Sequence, residues 1–369
     1  MVREINPEMW RRILVSAPNW IGDAVMCTPA LKGIRQAFPS AEICVLARPA
    51  VADLLRDHSC LDNILVCQYQ GRHASIVGQF RLARELHFRR FDLAVLFPNS
   101  FSSALTVFLA RIPHRVGYPT DGRSFLLTHA VPLPPAPKTL HQVCYYEELI
   151  RPFCSGYSSQ SPELHVSKDD ERQADTLLAS MGLSADRILL AVNPGAMYGG
   201  AKRWLPERFA EAADQLIQKL GAEESPSSEI KCVIVGAPGE EGLGREVARR
   251  MQREAIVLSG QTSLGALKAL IKRCRLYLTN DTGPMHIANA LNVPVVAVFG
   301  PTDHTTTSPF SPGHVVVRTP VDCSPCLLRE CPIDHRCMTG VTVEQVVQAA
   351  AQILPKSRVA PFHTVQPGS

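Results

Sequence analysis

The chain has 369 residues, 46% of them hydrophobic and 20% charged, and a formal net charge of +4. This is the profile of a soluble globular protein long enough for two core-bearing domains. No apolar run approaches the roughly 20 residues of a membrane span, and the N-terminal Met1-Val2-Arg3-Glu4-Ile5-Asn6 lacks the apolar core of a signal peptide. The charge is too mild to imply nucleic acid, and the expectation is a cytoplasmic protein with no nucleic-acid partner.

In chain order, Ile13-Leu14-Val15 reads as a strand and 22–38 as a helix. Strands over 42–46, 63–66 and 92–96 follow, succeeded by helices over 51–56, 76–88 and 104–109. Short apolar strands separated by amphipathic helices indicate a parallel sheet covered on both faces. The proline-rich 131–137 is a surface loop, and the polar 155–162 is the linker. The second half repeats the alternation, with strands over 188–192, 231–235, 255–258, 275–278 and 295–299. Ser263 caps a helix running to about Cys274, and 342–354 forms a final helix. The fold class is therefore α/β, with two Rossmann-like, doubly wound domains facing a crevice, over 1–160 and 161–341. The helix 342–354 and a disordered tail, 355–369, complete the chain. In such sheets ligands bind outside the carboxyl ends of the strands, so the strand-end loops are where chemistry is sought.

The first such loop is Ser16-Ala17-Pro18-Asn19-Trp20-Ile21-Gly22-Asp23. It lacks the GxGxxG fingerprint, which argues against a dehydrogenase. Asp23 is either a first-turn acid that complements the helix or a general base facing the crevice, kept ionised by the helix terminus. Gly22 allows a substrate close approach. The second loop joins Asn193-Pro194-Gly195-Ala196 to Met197-Tyr198-Gly199-Gly200-Ala201-Lys202-Arg203-Trp204, with a helix starting at Pro206. Its glycines suit a pyrophosphate and Lys202 and Arg203 supply charge; the alternative is an exposed loop with ordinary surface cations. The third is Gly236-Ala237-Pro238-Gly239-Glu240-Glu241, whose acids either accept from ribose hydroxyls or serve the helix start. The fourth, Thr279-Asn280-Asp281-Thr282-Gly283-Pro284-Met285-His286, ends a strand and opens a helix. Free N–H groups there suit an anion. Asp281 suits sugar hydroxyls, and His286 either faces the anion or serves the helix start.

Two further features stand out. Between residues 72 and 123 eight arginines (72, 81, 84, 89, 90, 111, 115 and 123) face three acids, Glu85, Asp92 and Asp121. This is a solvated helix face or a surface for a polyanion or an acidic membrane. Of twelve cysteines, eight are scattered through apolar elements as small buried hydrophobes. The other four, Cys323, Cys326, Cys331 and Cys337, have the spacing C-x2-C-x4-C-x5-C with His335 inside. A structural zinc, an iron–sulfur cluster and reduced thiols in a compact loop are the three readings.

Taken together, the four loops closely resemble those of the bacterial lipopolysaccharide heptosyltransferases of glycosyltransferase family 9. The carrying pieces are Asn19-Trp20-Ile21-Gly22-Asp23, Asn193-Pro194-Gly195-Ala196, Ala201-Lys202-Arg203-Trp204, Val235-Gly236-Ala237-Pro238, Asn280-Asp281-Thr282-Gly283-Pro284-Met285-His286 and Phe299-Gly300-Pro301-Thr302-Asp303. They occur in family order over 13–354. The cysteine-rich segment 322–338 resembles that of the branch that adds the second inner-core heptose. Two stretches depart from the family: Met197-Tyr198-Gly199-Gly200, where many relatives carry a glutamate, and the polar insertion 221–228.

The resemblance implies a two-domain GT-B fold and an inverting transfer of L-glycero-D-manno-heptose from ADP-heptose, with no cofactor or catalytic metal. The implied acceptor is heptosyl-Kdo2-lipid A at the inner face of the inner membrane, so a peripheral membrane association is implied too. On this sequence the family's base falls on Asp23 and its phosphate-binding lysine on Lys202. The donor set comprises Asn193, Gly195, Lys202, Arg203, Glu240, Asp281, Thr282, Gly283 and His286, and the acceptor set Asn19, Trp20 and Gly22. Lys202 and helix N-termini at Thr282-Gly283 and Gly195-Ala196 are expected to meet the leaving diphosphate. The rival readings are a family 9 enzyme with another acceptor, a nucleotide-sugar epimerase and a non-catalytic nucleotide-binding protein.

Overall fold

The computed structural model describes residues 10–68, 71–154, 157, 159–183, 188–223 and 230–354, without the side chains of residues 222 and 223. The expected tail, most of the insertion and part of the linker lie outside the described residues.

Among the described residues, twelve parallel strands form two six-stranded sheets. The first holds β1 (Arg12–Ser16), β2 (Glu42–Ala47), β3 (Asn63–Val66), β4 (Leu93–Leu96), β5 (His114–Gly117) and β6 (His129–Ala130), in the order β3-β2-β1-β4-β5-β6. Its helices are α1 (Ile21–Met26), α2 (Thr28–Ala37), α3 (Pro49–Leu54), α4 (Ile76–Phe88) and α5 (Phe101–Leu109). Two more, α6 (Gln142–Ile150) and α7 (Lys168–Ser180), lie between the sheets in sequence. The second sheet holds β7 (Ile188–Asn193), β8 (Ile230–Ile234), β9 (Ala255–Val257), β10 (Cys274–Asn280), β11 (Val295–Phe299) and β12 (His314–Arg318), in the order β12-β11-β10-β7-β8-β9. Its helices are α8 (Pro206–Glu223), α9 (Glu241–Arg250), α10 (Leu264–Lys272), α11 (Gly283–Ala290), α12 (His304–Thr307), α13 (Arg336–Thr339) and α14 (Val343–Ile353).

Both sheets thus share one winding. Strand order reverses between β1 and β4 in the first and between β7 and β10 in the second. At those points adjacent loops part to opposite faces and leave a crevice. The four loops singled out in the sequence follow β1, β7, β8 and β10, so three of them flank a switch point.

Strand alternation assigns the faces. Ile13 and Val15 of β1 join Tyr277 of β10 and Ala297 of β11 in one apolar cluster that runs from sheet to sheet. Leu14 points the other way, into a separate cluster under α4 and α5. Leu276, Leu278, Val296 and Val298 likewise pack beneath α8 and α14.

The expected helix over 22–38 is two helices. The break falls at Cys27, with Pro29 in the first turn of α2; proline has no N–H to return to the preceding turn. Strands β5, β6 and β12 and helices α6 and α7 extend the expected set. The edge strand β6 is two residues long, and β5 carries His114 and Arg115, so neither shows an apolar run. Ser263 caps α10 by accepting from the Ala266 N–H, as anticipated, and the expected final helix is α14, with Thr342 as its N-cap. Of the eight scattered cysteines, all are buried except the half-buried Cys144.

Candidate active site

β1 delivers the chain through Ala17–Asn19 to Trp20, the extended N-cap of α1, and Asp23 lies in that helix's first turn. Asn19 is exposed and the Trp20 ring is 60% exposed beside it. Tyr146 Oη, from α6, donates to Asp23 Oδ1 at 3.1 Å. Burial raises the Asp23 pKa above its ordinary value; the Tyr146 bond, a backbone N–H and the charge of Lys202 pull against it. The helix start therefore does not by itself hold Asp23 as an ordinary ionised carboxylate.

Lys202 comes from the second sheet. Its Nζ donates to Asp281 Oδ2 at 2.6 Å, and Thr302 Oγ1 donates to the same oxygen at 2.6 Å. Asp281 is buried, so this is a hydrogen-bonded ion pair that fixes the direction of the lysine. The ammonium also lies 4.9 Å from the Tyr198 ring centroid. Asn280 ties the neighbouring loops together. Its Oδ1 accepts from the Trp204 N–H at 3.0 Å, and its Nδ2 donates to the Pro194 carbonyl at 2.8 Å.

The N-termini of α1 and α11 meet. A Cβ on Gly22 would lie 2.9 Å from His286 Cδ2, and one on Gly283 would lie 3.0 Å from Ile21 Cβ. Both glycines are therefore used for helix contact. His286 sits buried in this junction, and burial lowers its pKa to about 4 despite the Asp281 carboxylate. The imidazole is neutral at physiological pH, able to donate from one nitrogen and accept at the other. Thr282 is the extended N-cap of α11.

Several expectations change in detail. Gly195-Ala196 does not open a helix: the chain turns, makes a short 3-10 turn over Gly200–Lys202, and enters α8 at Pro206. Of the two helix N-termini expected to meet the diphosphate, the one at Thr282-Gly283 is present, as the start of α11. Gly195 makes room for Glu240, whose carboxylate a Cβ at that position would strike. Asn193 is buried and committed within the protein, donating to Tyr277 Oη at 3.1 Å and accepting from the Gly195 N–H at 3.3 Å. It shapes the loop. Glu240 Oε2 accepts from the Ala237 N–H at 2.8 Å, while Oε1 is buried without a hydrogen-bond partner and has Arg203 at 4.0 Å. An orphaned carboxylate oxygen beside the β7 loop is a ready acceptor for a ligand hydroxyl. Glu241 instead accepts from the Gly239 N–H in its own turn.

Among the arginines, Arg123 is fully buried, donating to the Pro98, Ser100 and Tyr118 carbonyls. Arg115 likewise donates to the Ile112 and Leu126 carbonyls. These two brace the first sheet and are not part of an open basic surface.

The cysteine-rich segment lies against the lysine loop. Tyr198 Oη donates to the Leu327 carbonyl at 2.8 Å, and the Ala201 N–H donates to the Arg329 carbonyl at 2.9 Å. Glu330 accepts from the Gly200 N–H at 3.1 Å, and His335 Nε2 lies 2.7 Å from the Ala201 carbonyl. Arg329 stacks on the Tyr198 ring at 5.3 Å. Gly199 has no room for a Cβ beneath the Arg329 backbone. The departure at 197–200 is thus the surface onto which this segment clamps. Cys323 and Cys326 are exposed, Cys331 half-buried and Cys337 buried, and among the described residues no three His, Cys, Asp or Glu side chains converge to hold a metal ion. The four thiols do not fit a zinc or iron–sulfur site in this arrangement.

Tyr146, Thr302 and the clamp residues were not among the sequence candidates. The 3–4 spacing of Val143, Tyr146 and Ile150 was the available signal for α6, but nothing local shows that the helix faces Asp23.

Two doubly wound six-stranded sheets, with the half-buried Asp23 at the edge of one and the braced Lys202 at the edge of the other, give the GT-B architecture. Residues 79–336 match the model of Glycosyltransferase family 9 (heptosyltransferase), and the chain belongs to that family. The lipopolysaccharide heptosyltransferase 2 of Salmonella typhimurium is 30% identical over 96% of this chain and 98% of that protein. The solved Escherichia coli ADP-heptose LPS heptosyltransferase II superposes with a TM-score of 0.77 at 27% identity, covering 93% of this chain and 98% of that one. A family 9 glycosyltransferase from Veillonella parvula superposes with a TM-score of 0.81 at 26% identity, covering 93% and 97%.

Proposed function

We propose that this glycosyltransferase moves L-glycero-D-manno-heptose from ADP-heptose to the first heptose of heptosyl-Kdo2-lipid A, with inversion and without a metal. The observation that carries the reading is the pairing of Asp23 on the first sheet with the Lys202–Asp281 pair on the second. Support comes also from the relatives, several of which are named heptosyltransferase 2, and from the E. coli structure, whose name includes ADP-heptose.

Inversion by single displacement needs one base; retention would need a second, nucleophilic carboxylate. Asp281 is held by Lys202 and Thr302 on one oxygen and suits no such role. Asp23 takes the proton of the acceptor hydroxyl as that oxygen attacks the anomeric carbon. The bond to the diphosphate breaks, and charge grows on the departing ADP. Lys202 and the N-terminus of α11 meet that charge, while Glu240 and Arg203 border the nucleotide. Asn19 and the exposed Trp20 ring border the acceptor at the same strand edge. The enzyme works at the cytoplasmic face of the inner membrane, where its lipid-linked acceptor is held.

The deciding experiment measures ADP release from ADP-heptose with acceptors carrying zero, one or two heptoses. Release with the one-heptose acceptor alone is expected. Release with the heptose-free acceptor would reassign the enzyme to the first transfer, and acceptor-independent donor consumption would remove the transferase reading.

A further inference from the structure

Helix α4 carries apolar side chains on both its buried and its exposed face. Its buried stripe, Gly78, Leu82, Ala83 and Leu86, lies on the first sheet in the usual way. The opposite side should be polar, yet Ile76, Val77, Phe80 and Phe88 are 74%, 69%, 56% and 69% exposed. At about 100° per residue these four positions fall on one side of the helix, so they share the outer face. Arg81 and Arg84 stand among them, with the Arg84 guanidinium 5.7 Å from the Phe88 ring centroid. Arg89 and Arg90 follow at the C-terminal end, both exposed. The helix's one acid, Glu85, is paired with Arg72. The face is therefore apolar and cationic together.

Its position in the fold is equally particular. α4 covers the side of the first sheet opposite the apolar cluster that continues into the second sheet, so the second sheet does not cover it. The strands are parallel, and α4 begins after β3 leaves the carboxyl edge. That is the edge from which β1 delivers Trp20 and Asp23. The N-terminal turns of α4, with Ile76, Val77 and Phe80, thus sit on the same edge as the proposed acceptor site.

We propose that the outer face of α4 is a membrane-docking surface for an acidic phospholipid bilayer. It rests on the proposed lipid-linked acceptor. The apolar side chains enter the boundary between headgroups and acyl chains, and the arginines meet phosphate groups above them. Among the described residues no helix is long and apolar enough to cross a membrane, so this contact lies in the membrane plane. A helix oriented this way holds the carboxyl edge of the first sheet close to the lipid surface, where the sugar of an embedded acceptor stands.

The test is cosedimentation of the full chain with protein-free vesicles of phosphatidylethanolamine and phosphatidylglycerol, against pure phosphatidylcholine vesicles. Wild type is expected to partition onto the anionic vesicles and to be released by salt. Arg81→Gln with Arg84→Gln is expected to weaken partitioning by about 30-fold, from roughly 1 kcal/mol per surface arginine. Val77→Asp with Phe80→Asp is expected to weaken it by at least about tenfold. That second variant is expected to keep wild-type turnover on a delipidated, water-soluble acceptor and to lose turnover on vesicle-embedded acceptor. Equal partitioning of wild type and both variants overturns the proposal, as does wild-type binding to native membranes but not to protein-free vesicles, which identifies a membrane protein as the partner. Failure of turnover on the soluble acceptor by wild type itself counts against the proposed reaction and leaves the vesicle result to stand alone.

Discussion

Asp23 is set between opposing influences. Burial favours its protonated form, whereas the Tyr146 hydroxyl and the Lys202 charge favour the carboxylate. A base must be deprotonated to work, so the acid limb of kcat/KM is expected above the ordinary carboxylate range. Tyr146→Phe removes an influence that lowers the pKa, so the limb should move to higher pH; an unchanged pH profile would remove Tyr146 from this role. Asp23→Asn is expected to cost about 10²- to 10⁴-fold in kcat with ADP-heptose binding retained by calorimetry. His286 makes a separate pH prediction. Its folded pKa is lowered to about 4 from about 6.5, so the unfolded chain binds its proton first as pH falls. Stability is then unaffected above about pH 6.5 and declines toward about pH 4. The melting temperature of wild type should fall across that window more steeply than that of His286→Gln. Neither prediction was available from the sequence, which placed both residues in first turns of helices and could not show that the two turns are packed against each other.

At the scale of elements, the cysteine-rich segment and the lysine loop behave as one unit. The 3-10 turn over Gly200–Lys202 has little intrinsic stability, and backbone and side-chain bonds from Leu327, Arg329, Glu330 and His335 hold it. Removing two of them with Tyr198→Phe and Glu330→Ala should raise the donor KM about tenfold, at roughly 1 kcal/mol or less per exposed bond. The acceptor KM should stay unchanged; equal changes in both would show a global effect instead. The elements themselves were unevenly legible. α4 and α8 begin where the sequence predicts, because Ser75 and Pro206 mark their starts. β6 was invisible, since a two-residue edge strand at His129–Ala130 is defined by its neighbour and not by its own side chains. The cysteine spacing left zinc, an iron–sulfur cluster and reduced thiols open, and only the fold shows the segment's backbone bonded to the lysine loop.

At the scale of the molecule, Lys268 joins the parts. It is fully buried on α10. Its Nζ donates to the Leu54 carbonyl at 3.3 Å and the His165 carbonyl at 2.9 Å, and lies 3.4 Å from Asp170 Oδ2. One ammonium thus connects the end of α3 beside the first sheet, the segment before α7 and the second sheet. Lys268→Met strands a buried carboxylate and should destabilise the fold by about 3–5 kcal/mol in denaturant titrations. Adding Asp170→Asn should restore part of that loss. A single-variant cost under about 1 kcal/mol, with no recovery in the double, would show that this contact is not a joint.

The sequence by itself determined the two parallel sheets, their alternating helices and the loops that carry Asp23, Lys202 and Asp281. These follow from local periodicity, capping and turn chemistry, which neighbouring residues impose on one another. The tertiary structure alone decided which of those residues meet. Asp23 and Lys202 lie far apart in sequence, Tyr146 comes from a helix with no motif of its own, and Asp281 holds Lys202 from another strand end. The raised pKa of Asp23, the neutrality of His286 and the apolar outer face of α4 depend on burial and exposure. Those are properties of the packed whole, set by which surfaces the sheets and helices cover.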